Sequence, residues 1–373
     1  MRVLLTGGVT GGHINPALAI ADTIRENDPH AVIEFVGIEG GKEVDLVPRE
    51  GYRLHFVDAR GFDREKKLSL DNLLALWLAW YSPRSKKTRR ILEEFAPDIV
   101  IGTGGYASWP LMKAAIDCGI PTALHESNAL PGVAVRRLQG QVDRIWVNFP
   151  GTEARLDAKE KVLLVGNPMR RGFGTISKAE ARRKLGIEGG RKMILSFGGS
   201  GGATAVSRAV IDTMKELVAQ RPDILHVHAT GQRDYSQCMQ WFREAGLHEC
   251  SNCMLVEYIY DMPLRMAAAD LVISRAGAMT LSELALMQKA SVLIPFPGAT
   301  DNHQYINAKE LSDAGGAALV EQRELDGGRL AEVVRELIDH ADQRALMESR
   351  IAGFAKNDAN RLIWQDIQSI LKK

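Results

Sequence analysis

Short apolar, β-branched runs alternate with longer stretches of helical period along most of the chain. In the first half Val3–Thr6, Ala31–Gly37, Asp98–Gly102, Thr122–His125 and Arg144–Val147 read as strands. Lys192–Phe197, Ile224–Ala229, Asp270–Ser274 and Ser291–Pro295 follow in the second half as buried strands. Helices fit between them: Pro16–Asn27, with proline in the first turn where a missing N–H costs nothing, then Ala203–Ala219 and Ala278–Gln288. The segment from Leu330 to Lys373 is helical and amphipathic, with Leu362, Ile363 and Trp364 as packing residues. This alternation predicts an α/β chain of two Rossmann-like, doubly wound parallel-sheet domains facing a cleft. Asn167-Pro168 and paired glycines interrupt the pattern between Gly166 and Gly190, where a linker is expected. The expected division is 1–165, then 166–350, then a C-terminal helix in 351–373 packing back on the first domain.

Both halves open alike, with a strand, a glycine-rich turn and a helix. The first reads Leu5-Thr6-Gly7-Gly8-Val9-Thr10-Gly11-Gly12-His13, the second Ser196-Phe197-Gly198-Gly199-Ser200-Gly201-Gly202-Ala203. Glycines permit positive φ and let backbone N–H groups approach a phosphate, and the following helix adds partial positive charge. A diphosphate is the natural guest. A third loop, Gly102-Thr103-Gly104-Gly105-Tyr106, repeats the theme. A nicotinamide fingerprint fails, because Val9 stands where the middle glycine of GxGxxG belongs and the second loop also lacks the spacing.

The length of 373 residues favours two domains, and 45% hydrophobic with 25% charged residues is the balance of a globular enzyme. A net charge of +1 gives no global attraction to nucleic acid. The N-terminal apolar run is too short for a signal peptide, and no stretch approaches the ~20 apolar residues of a membrane span, so a protein neither secreted nor integral is expected. Cys118, Cys238, Cys250 and Cys253 read as reduced thiols, since the single CxxC lacks a second ligand pair; no metal site is expected.

One stretch alters the picture. Leu68–Tyr81 is helical in pattern, apolar around most of its circumference and aromatic, with Leu73, Leu76, Trp77 and Trp80 along it. From Arg60 to Arg90 nine basic residues, Lys66, Lys67 and Arg84 among them, face three acids, so the local charge is 9 − 3 = +6. Such a segment suits an anionic membrane interface or, equally, a core helix beside a solvated charge run.

Read in order, seven motifs resemble the MurG family of peptidoglycan N-acetylglucosaminyltransferases over nearly the whole chain. They are Thr10-Gly11-Gly12-His13, Tyr106-Ala107-Ser108, His125-Glu126-Ser127-Asn128, Gly166-Asn167-Pro168-Met169-Arg170, Phe197-Gly198-Gly199-Ser200, Ser274 through Glu283, and Asp301-Asn302-His303-Gln304. The resemblance implies the GT-B architecture and transfer of N-acetylglucosamine from UDP-N-acetylglucosamine to lipid I, at the cytoplasmic face of the bacterial inner membrane. Its implied partners are those two substrates, the anionic membrane surface and other cell-wall synthesis proteins, with no nucleic acid. Two departures stand out: Val9 replaces a glycine and Gly201 replaces a glutamine, which bears on loop geometry.

Carried over residue by residue, the resemblance implies that Ile259 presents backbone groups to the uracil and Glu283 binds the ribose hydroxyls. Ser200 and Arg170 would contact the diphosphate, with Thr10, Gly11 and Gly12 in the first loop. Ala278, Met279 and Thr280, followed by Leu281 and Ser282, would begin a helix whose N-terminus lies near the phosphates. Asn128 and Gln304 would hold the sugar hydroxyls, since an amide both donates and accepts. The family inverts in a single step. With no Asp-x-Asp pair in the chain, helix N-termini, loop amides and Arg170 would stabilise the leaving diphosphate, with no cofactor required beyond a loosely held magnesium. His13 is the expected base, Glu126 its reserve, with His125 placed to orient the latter. A UDP-N-acetylglucosamine 2-epimerase and a non-enzymatic sugar-nucleotide sensor are the competing readings.

Overall fold

The computed structural model describes residues 1–62, 69–187, 189–199 and 202–372, the side chain of Thr300 excepted. The chain divides into two compact units, Met1–Arg171 with Lys356–Lys373, and Gly172–Ala355.

Unit 1 holds seven parallel strands: β1 (Arg2–Thr6), β2 (Val32–Gly37), β3 (Arg53–Phe56), β4 (Ile99–Gly102), β5 (Thr122–Glu126), β6 (Arg144–Val147) and β7 (Val162–Leu164). Their spatial order is β3-β2-β1-β4-β5-β6-β7. The helices are α1 (Gly11–Asn27), α2 (Glu43–Arg49), α3 (Leu70–Tyr81), α4 (Lys86–Phe95), α5 (Trp109–Asp117) and α6 (Val133–Leu138). The apolar runs of β1 and β4 are buried on both faces: Val3, Leu5, Ile99 and Ile101 pack toward α1, Leu4 and Val100 toward α5.

Unit 2 has a six-stranded parallel sheet, ordered β10-β9-β8-β11-β12-β13. Its strands are β8 (Lys192–Phe197), β9 (Ile224–Ala229), β10 (Cys253–Val256), β11 (Leu271–Ser274), β12 (Ser291–Leu293) and β13 (Ala318–Leu319). Around it lie α7 (Lys178–Lys184), α8 (Thr204–Thr213), α9 (Tyr235–Glu244), α10 (Met262–Ala268), α11 (Ala278–Leu286), α12 (His303–Asp313), α13 (Arg329–Asp339) and α14 (Ala341–Ile351). The helix expected over Ala203–Ala219 is α8 continued by a π-helical turn, Met214–Val218.

The C-terminal stretch expected to be helical from Leu330 is three helices. The last, α15 (Ala359–Leu371), belongs to unit 1, where Ile363, Ile367 and Ile370 join the core beside α1. Asp366 fixes it to the sheet, accepting hydrogen bonds from Arg144 Nε at 2.9 Å and Trp146 Nε1 at 2.7 Å.

A polar seam crosses the core of unit 2. The period of two along β9 puts His226 and His228 on one face, where Ser196 Oγ lies 2.8 Å from a ring nitrogen of each, and Ser207 Oγ is 3.0 Å from His228 Nε2. Burial pulls both imidazoles below their ordinary range, His228 to about 4, so both are neutral near pH 7. Among the described residues no His, Cys, Asp and Glu cluster could hold a metal ion. Burial pushes the Cys253 thiol up to about 12, which keeps it protonated.

Candidate active site

In each unit the chain runs one way from its first strand and later resumes on that strand's other side. The switch falls between β1 and β4 in unit 1 and between β8 and β11 in unit 2. Loops at the carboxyl ends of these strands diverge there and leave a crevice, the usual place for a ligand.

In unit 1 those loops are 7–10 and 103–108. His13 stands on the first turn of α1 with Nδ1 3.0 Å from the carbonyl oxygen of Thr103. A carbonyl only accepts, so Nδ1 carries a hydrogen, which in a neutral ring puts the lone pair on Nε2. Thr103 Oγ1 also donates to the His13 carbonyl at 2.6 Å. The third glycine loop is packed on this ring. A Cβ at Gly104 would lie 2.9 Å from His13 Nδ1, and one at Gly105 would lie 3.1 Å from Cδ2, both at positive φ. Thr103 and its glycines thus seat His13.

The N-terminus of α1 suits an anion. Thr10 is its N-cap and makes no side-chain cap bond, Gly11 and Gly12 follow, and the first turn carries no acid. Val9 adopts φ 75°, so the valine does stand where left-handed backbone is required.

Glu126 is buried with its carboxylate engaged. Oε1 accepts from Asn128 N at 2.9 Å and Asn128 Nδ2 at 3.2 Å, and Oε2 from Gly132 N at 2.7 Å. It organises the loop after β5 and ties one donor of Asn128, so a proton could reach it only at the expense of those bonds. His125 is wholly buried, with Nε2 on the Gly166 carbonyl at 3.1 Å, and faces that carbonyl instead of orienting Glu126. Arg170 is also engaged: Nε lies 2.9 Å from Asp22 and Nη2 2.8 Å from Glu50. A diphosphate there would compete with two carboxylates.

In unit 2 the strand ends lead to the residues expected for a nucleotide sugar. The loop after β10 carries Ile259, whose side chain is buried in the core and whose backbone groups have no partner among the described residues. Gly277 caps α11, so no cap side chain covers its first turn of Ala278, Met279 and Thr280. Leu281 is a core residue: its side chain is buried and its N–H is bonded to Gly277 O at 3.0 Å, leaving nothing to offer a ligand. Ser282 and Glu283 are half-buried one turn on. The Glu283 carboxyl has no hydrogen-bond or charged partner among the described residues, and desolvation alone pushes it up to about 8. Gln304, on α12, accepts from Phe296 N at 3.0 Å through Oε1 and keeps its amide donors. Ser200 and Gly201 lie outside the described residues.

The model of the glycosyltransferase family 28 N-terminal domain matches residues 3–147, and that of the family 28 C-terminal domain matches 193–363. The chain belongs to glycosyltransferase family 28. A relative from Acetivibrio thermocellus, 37% identical over 372 residues, covers 100% of this chain and 99% of its own. It is named UDP-N-acetylglucosamine–N-acetylmuramyl-(pentapeptide) pyrophosphoryl-undecaprenol N-acetylglucosamine transferase. Among solved structures, Acinetobacter baumannii MurG is similar at TM-score 0.73 and 24% identity, with 99% of each chain covered. A Neisseria meningitidis UDP-GlcNAc 2-epimerase bound to UDP-GlcNAc is similar at TM-score 0.64 and 15% identity, covering 99% of this chain and 100% of that one. Those two likenesses show the shared fold.

Within this family 28 chain, sequence reasoning left Thr103 and Arg275 without a task. The Arg275 guanidinium is buried, which lowers it to about 10, and donates to Ile294 O at 3.2 Å, Pro295 O at 2.9 Å and Gln322 Oε1 at 2.6 Å. It anchors the segment after β12 that leads to Gln304. An arginine directly after a buried strand is the signal that marks it.

Proposed function

We propose that this family 28 glycosyltransferase moves N-acetylglucosamine from UDP-N-acetylglucosamine to undecaprenyl-diphosphate-linked N-acetylmuramoyl-pentapeptide, the reaction in the name of its Acetivibrio relative. The observation that carries the donor side is Glu283, a half-buried carboxyl with no partner among the described residues, on a helix whose N-cap is a glycine. Such a group is matched by two ribose hydroxyls, which donate to it, while the start of α11 faces the diphosphate. Ile259 offers its backbone to the pyrimidine, and Gln304 donates to the sugar.

The acceptor hydroxyl attacks the anomeric carbon and the bond to UDP breaks in the same step, inverting that centre. The hydroxyl proton passes to His13 Nε2, the nitrogen left basic by the Thr103 contact. Charge growing on the leaving diphosphate is met by helix N-termini and loop amides. The reading requires no resident metal; a magnesium ion on the diphosphate would arrive as part of the substrate.

Incubation with labelled UDP-N-acetylglucosamine and a lipid I analogue tests this. Label in the lipid product supports the reading. Conversion of the sugar nucleotide without acceptor indicates an epimerase, and binding without turnover a sensor; either refutes the proposal.

We also place the enzyme peripherally on an anionic membrane, through α3. No helix among the described residues is long and apolar enough to cross a membrane. Only Asn72 and Ala75 of α3 are buried, whereas Leu73, Leu76, Trp77 and Trp80 are 61%, 56%, 51% and 61% exposed. An apolar aromatic face of that size in water asks for a partner, and indole rings favour the interface. Arg84 lies beside it, donating to the Trp80 carbonyl at 2.6 Å; Lys66 and Lys67 lie outside the described residues. A Trp77→Glu/Trp80→Glu variant is expected to leave anionic vesicles in a sedimentation assay, with its melting temperature unchanged because neither ring is core. Undiminished vesicle binding would exclude the face.

A further inference from the structure

Glu43, the first residue of α2, takes no part in the reaction as described, yet it is 1% exposed and lies directly behind the first glycine loop. Its two oxygens accept from two backbone segments: Oε2 from Val9 N at 2.8 Å, and Oε1 from Ile38 N at 3.0 Å. Three glycines make room for it. A Cβ added at Gly8 would lie 2.4 Å from Oε1, one at Gly37 2.5 Å from Cγ, and one at Gly41 2.2 Å from Oε2. The residue it grips is Val9, a β-branched side chain at φ 75°, where valine is disfavoured. Thr10, the N-cap of α1, follows at once, and His13 begins three residues further on.

We infer that Glu43 is a positioning residue of the transfer reaction: its carboxylate pins Val9 in the left-handed conformation and so fixes the start of α1 and the place of His13. The inference rests on the acceptor-side role given to His13 above. The geometry also explains which amides of the loop serve the ligand. The Val9 N–H points at the carboxylate, so an anion is left to the amides at the start of α1 itself. Two N–H groups converge on one carboxylate, and each needs an acceptor oxygen. A glutamine has the same shape but one acceptor, so it must turn its NH2 toward either Val9 or Ile38. With the NH2 toward Val9 no bond holds that residue where its side chain resists, and with the NH2 toward Ile38 the side chain loses its second anchor and the clamp itself swings; either way the loop relaxes.

Glu43→Gln is expected to lower kcat by about 10²-fold, because displacement of a base by about an ångström has that effect. The KM for UDP-N-acetylglucosamine changes far less than kcat, since Glu283, Ile259 and Gln304 lie in unit 2 and only the amides at the start of α1 lie in unit 1. Hydrogen exchange in the peptide spanning residues 7–13 speeds up. Adding Val9→Gly recovers about tenfold or more of kcat, because glycine adopts positive φ without a clamp. A merely structural glutamate would not give that recovery. Full kcat in Glu43→Gln, or a loss that Val9→Gly leaves untouched, overturns the inference. If Glu43→Gln does not fold, the double variant decides: a folded, active double variant supports the clamp, and one that also fails to fold makes Glu43 part of the scaffold and overturns it. Should the wild-type protein transfer no sugar, the functional reading fails by itself, and the exchange of residues 7–13 still judges whether Glu43 holds the loop.

Discussion

A His13→Asn variant is expected to lose about 10³-fold in kcat while its affinity for UDP stays within about twofold of wild type, as removal of a general base does. The argument begins with the Thr103 carbonyl, 3.0 Å from Nδ1, which holds the hydrogen on that nitrogen and leaves Nε2 able to take a proton. Asparagine keeps a donor for the carbonyl and fits the space over Gly104 and Gly105, so the loop is preserved and only the basic nitrogen is lost. UDP binding serves as the control because the residues proposed for the ribose and the pyrimidine, Glu283 and Ile259, belong to unit 2. Glu126→Gln is the matched comparison. Its carboxylate already accepts from Asn128 and Gly132, so that change is expected to act through the loop, lowering melting temperature together with rate. Single-turnover kinetics with saturating donor separate the two cases. If His13→Asn stays within about tenfold of wild type and Glu126→Gln falls by about 10³-fold at unchanged stability, the two roles are exchanged.

The strands legible in the sequence were the interior ones. All nine read from apolar runs are inside their sheets, and the four that were not read, β3, β7, β10 and β13, are the sheet edges. The reason is physical: an interior strand of a parallel sheet is covered on both faces and is written as a continuous apolar run, whereas an edge strand such as Arg53–Phe56 keeps polar residues and is short. The break of the C-terminal stretch into α13, α14 and α15 was hidden for a related reason, since the helical period continues through short turns.

The candidate site was legible unevenly. Motif order located His13, Glu283 and the start of α11 because glycines and strand ends mark them. What it did not reveal was which groups are already taken. Arg170 looks available in sequence but is held by Asp22, in the middle of α1, and by Glu50, just beyond α2. Leu281 shares a motif with Glu283 yet sits a half-turn round the helix, in the core. Glu43 and Thr103 act through contacts between segments 34 and 90 residues apart, which no local pattern records.

Glu283→Gln is expected to stabilise unit 2 while weakening donor binding, two changes of opposite sign from one atom exchange. The carboxyl's ordinary value is 4.5 and desolvation raises it to about 8 in the folded protein. The unfolded chain therefore sheds this proton near 4.5 and the folded chain keeps it until about 8, so stability is greatest below 4.5 and declines as pH rises through 8. At ~1.36 kcal/mol per unit the loss at pH 7.5 is at most about 4 kcal/mol, reduced by the solvent that this half-buried group retains. Glutamine never ionises, so its unfolding midpoint in denaturant should exceed that of wild type at pH 7.5, with the gain shrinking toward pH 5. Binding runs the other way. Ribose hydroxyls donate best to the ionised form, so wild-type affinity for UDP-N-acetylglucosamine should rise with pH up to about 8 and then level off. The variant should bind about 10- to 100-fold more weakly at pH 8, the loss expected for hydrogen bonds to a charged group, with a flat pH profile. Calorimetric titration across pH 6–9 reads both slope and affinity. A variant that gains stability yet binds donor as tightly as wild type would leave Glu283 a desolvated carboxyl with no part in the site, since none of the described residues pairs with it and the ligand would not either.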